Sequence, residues 1–184
     1  GVEMAMDATL DGFTITGAGK YDDTLWRHHF DTQGNEQAHE HIGRPGVPGI
    51  AVTSDCAVLH NIVHHNGSTG IAITGAAGKN VSPRIAGNVS YRNMGGGIGS
   101  MNGSTALIEQ NTCFENLHAG IGCDGSSPLV KDNTCHSNIR SGIGISEGSS
   151  PKVTGNLCFR NRRGGIGIRT GNETRPLVEG NECR

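Results

Sequence analysis

Large rings are scarce in this chain. Aromatics are 4% of 184 residues, one Trp, two Tyr and four Phe, too few for a globular core built around them. No apolar run approaches the ~18 residues that span a bilayer. Neither sign of charge dominates: 15 Lys and Arg against 17 Asp and Glu leave a net charge of −2, so nothing points to nucleic acid or an anionic membrane surface. The six cysteines form no C-x-x-C pair, which argues against a zinc ribbon or a dithiol redox motif. The start, Gly1-Val2-Glu3-Met4, lacks a basic stretch followed by an apolar one, so no targeting signal is visible.

What the chain has is glycine, 30 residues of it, and a repeat. Asn61, Asn88, Asn111, Asn133, Asn156 and Asn181 are spaced 27, 23, 22, 23 and 25 residues apart. Five residues after each of the first five stands a second Asn: Asn66, Asn93, Asn116, Asn138 and Asn161. Nine after each comes Gly and then Ile, from Gly70-Ile71 to Gly165-Ile166. Three before each anchor lies a β-branched residue, and two after the later anchors lies Cys113, Cys135, Cys158 or Cys183. Each unit thus holds three short period-2 apolar stretches separated by turn residues, with no room for a helix. A leucine-rich repeat has a similar period, but Leu occupies no constant column here. The pattern predicts an all-β fold, a right-handed parallel β-helix with coils of about 23 residues. Stacked coils place like side chains in columns at about 4.8 Å. Inward Asn amides then hydrogen-bond from coil to coil. The cysteine column reads as small inward free thiols, with disulfides between coils as the alternative.

These columns resemble the pectin-lyase-like superfamily of right-handed parallel β-helices. Ala8-Thr9-Leu10-Asp11-Gly12-Phe13-Thr14-Ile15-Thr16-Gly17 is similar to a coil opening in bacterial β-helix repeat proteins, as are the Asn111-to-Asn116 run and the Gly-Ile-Gly-Ile runs at 142–145 and 165–168. Members include polysaccharide lyases, glycoside hydrolases, epimerases, phage tailspikes and a periplasmic protein that helps mature nitrous oxide reductase. The resemblance implies an extracellular or periplasmic location and a polysaccharide partner. It assigns no catalytic residues. The Asp-Pro-His-Asp motif of alginate epimerases is absent from the sequence, and the calcium site and catalytic Arg of pectate lyases find no match. An enzymatic role, if present, would be that of a lyase or glycoside hydrolase.

The chain reads as one β-helix domain, 1–184, that starts and stops mid-coil. That predicts either a segment of a longer solenoid or ends covered by other chains. Phe13 takes the anchor position of its coil. One insertion, about 18–48, interrupts the repeat. It holds the only Trp and four of nine histidines, and such excursions often carry function.

Three candidate sites follow. An outward column three residues after each anchor, His64, Tyr91, Phe114, His136 and Phe159, runs beside Arg92 and Arg160. Rings at coil spacing with charged neighbours form a platform for a sugar chain, or an aromatic stack that steadies the sheet. His28, His29, His39 and His41 gather metal-type ligands in the insertion, suited to copper or zinc. A bare face, Gly97, Gly99, Gly120, Gly122, Gly142, Gly144, Gly165 and Gly167, invites close approach of another backbone, including another copy of the chain, or else reflects tight coil geometry. Polysaccharide binding along the ring column is the leading expectation. A self-assembling solenoid and copper or zinc binding are the alternatives.

Overall fold

A computed structural model describes residues 1–35, 46–76, 80–169, 171 and 173–184. The chain winds as a right-handed parallel β-helix. Three sheets of seven strands run along it. The first sheet is built from Val2–Met4, Ile50–Val52, Ile71–Thr74, Ile98–Met101, Ile121–Asp124, Ser141–Ser146 and Gly164–Ile168. The second contains Leu107–Glu109 and Leu129–Lys131, and the third Thr112–Phe114 and Thr134–His136, with their equivalents in each coil.

Every pairing is in register with the repeat. Ile71, Ile98, Ile121 and Ile143 face one another across the first sheet, and Ile85, Ile108, Val130 and Val153 across the second. All eight are fully buried. In the third sheet Cys113, Cys135, Cys158 and Cys183 form the inward column, and all six cysteines are free thiols. β-Branched side chains suit these short strands because they fill the narrow interior without large rings.

Two asparagine ladders close the coils. In the first, both the backbone N–H and Nδ2 of Asn88 donate to Oδ1 of Asn111, at 2.9 and 3.0 Å. Asn111 repeats this toward Asn133, and its Nδ2 also donates to the carbonyl of Ile85 at 2.9 Å. The second ladder runs from Asn66 to Asn161 in the same manner. At its first rung the first ladder ends on Phe13, whose N–H donates to Asn61 Oδ1 at 2.9 Å, as the anchor spacing predicts.

Each ladder residue follows a turn residue in the left-handed region. His65, Arg92, Glu115, Ser137 and Arg160 hold φ between 49° and 56° before the second ladder. That conformation costs about 1 kcal/mol for a residue with a side chain, and the amide bonds gained at the next position offset it.

The bare face divides in two. Gly97, Gly120, Gly142 and Gly165 lie at a corner and point inward. A Cβ on Gly120 would sit 2.8 Å from the Gly142 carbonyl oxygen, 2.9 Å from Asn138 Nδ2 and 3.1 Å from Cys135 Cβ. Tight coil geometry accounts for this column, which is not part of an outer contact face. Gly99, Gly122, Gly144 and Gly167 do face outward, and a Cβ on Gly122 would meet nothing within 4 Å.

Part of the insertion folds as a helix, α1, Asp23–Asp31. Asp22 caps it by accepting from the Leu25 N–H at 2.9 Å. Trp26 and Phe30, one turn apart, stack at 4.7 Å. They pack with Leu117, Ile139, Met94 and Tyr21 in a small cluster outside the solenoid. Trp26 Nε1 donates to the Glu115 carbonyl at 3.1 Å, and the Arg92 guanidinium lies 4.9 Å over its ring. Residues 21–31 are therefore strapped along the corner between the third and first sheets.

These contacts predict paired outcomes under urea denaturation. Gly120→Ala loses about 2 kcal/mol through overpacking, whereas Gly122→Ala is neutral within about 0.5 kcal/mol. Asn111→Ala loses about 3 kcal/mol, because it strands several buried polar groups at once. Separately, Leu117→Ala exposes the only Trp, and its emission shifts to the red while far-UV circular dichroism holds.

Candidate functional site

The ring column forms, and its geometry shows which part of each ring is open. Tyr91 and Phe114 stack at 4.9 Å with planes 1° apart, Phe114 and His136 at 5.0 Å and 4°, and His136 and Phe159 at 4.8 Å and 12°. His64 continues the stack onto Tyr91 at 4.9 Å. Each interior ring thus covers both faces with its neighbours and turns an edge outward. A sugar stacks on a ring face, and the faces of these interior rings are occupied. Arg92 is drawn into an ion pair with Glu115 at 2.7 Å and over Trp26. Arg160 stands exposed at the turn beside Phe159.

A groove of about 960 Å³ opens instead over the outer face of the first sheet. Its floor is the outward column Ala72, Gly99, Gly122, Gly144 and Gly167. Five coils at the usual strand spacing make this floor about 19 Å long. Because no side chain rises beyond a methyl group, a ligand there would reach backbone. One wall is the column two residues after the second Asn: Ser68, Gly95, His118, Arg140 and Arg163. The opposite wall is the column four residues after the corner Gly: Thr74, Met101, Asp124, Ser146 and Arg169, with Glu147 beside it.

Charge gathers in the later coils. Arg140 and Arg163 stand on the first wall, and Arg169 stands on the second with the carboxylates Asp124 and Glu147. Arg169 pairs with Glu147 at 3.5 Å. Arg140 is buried, and burial, followed by the repulsion of Arg163 and Arg169, pushes its guanidinium down to about 10. Burial and then the Glu147 charge raise the Asp124 carboxyl, against the pull of Arg169. The strap holds the first wall in place. Leu117 and Ile139, under Trp26 and Phe30, immediately precede His118 and Arg140, and Arg162 donates to Asn35 Oδ1 at 3.1 Å just before Arg163.

The floor glycines Gly99, Gly122, Gly144 and Gly167 belong to the bare face that the repeat marks, whereas the charged residues of the walls stand in no constant column of the sequence. The signal was the position two after the second Asn, which drifts from Ser and Gly in early coils to His and Arg in later ones. It is easily passed over because it varies from coil to coil.

Of the histidines read as metal ligands, His28 and His29 lie side by side on α1 with rings 5.5 Å apart, while His39 and His41 fall outside the described residues. Among the described residues no three His, Cys, Asp or Glu side chains converge as a metal centre. No helix among them is long and apolar enough to cross a membrane.

The model of the right handed beta helix region matches residues 39–183. The chain belongs to that family. Solved structures show the same fold. The crystal structure of the periplasmic alginate epimerase AlgG superposes with a TM-score of 0.60 at 18% identity, over 73% of this chain and 36% of that one. A Thr-to-Asn mutant of AlgG superposes with a TM-score of 0.66 at 14% identity, over 98% of this chain and 42% of that one. The β-helix described here therefore spans less than half of AlgG. No curated protein sequence matches it.

Proposed function

We propose that this β-helix binds an anionic polysaccharide along the groove over its first sheet, outside the cytoplasm. The observation that carries the reading is the cluster of Arg140, Arg163 and Arg169 around a floor of glycine backbone. The three guanidiniums outnumber the two carboxylates of the groove, Asp124 and Glu147, and a carboxylated or sulfated chain answers that excess of positive charge. The floor lies between two walls, so a thread-like polymer reaches it and the broad face of a second solenoid does not. The fold shared with a periplasmic alginate epimerase supports a polysaccharide ligand and an extracytoplasmic location. The ring column then serves to stiffen the third sheet, and its interior rings Tyr91, Phe114 and His136 offer a ligand only their edges.

Affinity electrophoresis against alginate, polygalacturonate and neutral dextran tests this. Retention is expected on an acidic polymer, weakening as salt rises, and not on dextran. Arg140→Gln with Arg163→Gln lowers affinity about tenfold or more. Gly122→Leu, which fills the floor at a site with open space, does the same while leaving every arginine in place. Tyr91→Leu with Phe159→Leu leaves retention unchanged. Loss with the ring variants and none with the groove variants would move the site to the column.

A further inference from the structure

At one corner the solenoid brings two imidazoles together. His64 ends a strand of the third sheet, Ile62–His64, and His65 follows it. In a continuing strand consecutive side chains point to opposite faces. His65 instead holds φ at 53°, and this turn swings its ring back to the side of His64. The two rings stand perpendicular at 88°, with centroids 4.9 Å apart. Their Nδ1 atoms approach to 2.7 Å, and Thr16 Oγ1 lies 3.4 Å from His64 Nδ1. The same corner brings His136 Nδ1 within 3.2 Å of Ser137 Oγ two coils beyond Tyr91, so the convergence follows from the coil and not from one side chain. Only at 64–65 does it join two histidines.

We propose that Nδ1 of His64 and Nδ1 of His65 form a two-nitrogen chelate for copper(II), with water completing the coordination. Metal–imidazole bonds of about 2.0–2.1 Å across the observed separation give an N–M–N angle of about 82°. A tetrahedral ion wants about 109°, which would need the nitrogens about 3.3 Å apart. A tetragonal ion wants about 90°, which is reached by opening the pair by about 0.2 Å. The pocket is partly screened: Tyr21 sets its ring edge against His65 at 4.8 Å. Burial lowers the pKa of both imidazoles, and Arg92 and the neighbouring imidazole add to this at His65 while Asp23 opposes it. The shift favours the neutral imidazole, the form that carries a lone pair for a metal. In the free protein one Nδ1–H donates to the other Nδ1. On metal binding that proton transfers to Nε2 of its ring, and no net charge leaves the pair. The site is independent of the groove and of the histidines on α1.

The test is titration of the full chain with copper(II) chloride in a weakly coordinating buffer, read by calorimetry and electron paramagnetic resonance. The expected result is one tightly held ion per chain, with hyperfine splitting from two equatorial nitrogens. The variants are chosen to spare the fold. His64→Phe keeps a ring in the stack, as Phe114 does, and His65→Asn keeps a residue tolerant of the left-handed turn. Each lowers copper affinity at least about tenfold and removes one coupled nitrogen, while circular dichroism and the thermal midpoint stay near those of the parent. His28→Ala with His29→Ala, and His39→Ala with His41→Ala, leave the signal intact. Binding that is absent, that survives both fold-sparing variants, or that disappears with either insertion pair would overturn the assignment.

Discussion

The asparagine ladders are the constraint on which the rest of the molecule depends. A coil of this size has corners, and at the two corners that flank the third sheet a backbone N–H turns inward, away from its sheet partner. Buried without a partner, each such group would cost about 1–3 kcal/mol. The Asn carbonyl oxygen of the next coil accepts it, together with the Asn amide from the same residue, and the amide nitrogen reaches a strand carbonyl one coil back. No other side chain supplies an acceptor and two donors at that length. Removing one member leaves orphans in two coils, so the ladder fixes coil length and register together.

That register decides what each surface becomes. Once the corners are set, the third sheet must stack its outward residues at coil spacing, and rings in that column lie face to face. The first sheet must turn glycine inward at its corner, because the interior Cys and Asn side chains fill the space a Cβ would need. The following outward column then carries Ala or Gly, and a backbone-floored groove results. The left-handed turn between the two sheets reverses side-chain alternation. It thereby sends His65 toward His64 and brings the residues after the second Asn round to the groove wall.

The insertion takes its role from the same frame. Its aromatic residues do not form a site of their own among the described residues. They bury Leu117 and Ile139 at one corner and hold the turn that presents His118 and Arg140. A helix lying across several coils ties their positions together, so the wall of the groove is steadied by a segment remote from it in sequence.

The parallel β-helix, the coil length, the inward aliphatic and cysteine columns and both Asn ladders were legible in the sequence. Each is a repeated demand: the same backbone environment recurs every coil and selects the same residue type, so it appears as a column. The ring stack was legible for that reason too, although the sequence could not say that its faces would be used up within it. The groove was not legible. Its charged residues, Asp124, Arg140, Glu147, Arg163 and Arg169, occupy columns whose identity changes from coil to coil, and only coiling brings them over one floor. Nor could spacing separate inward Gly120 from outward Gly122, or place His64 and His65 on one side of a strand. Those outcomes depend on the backbone angle at a single turn, which the tertiary structure alone decided.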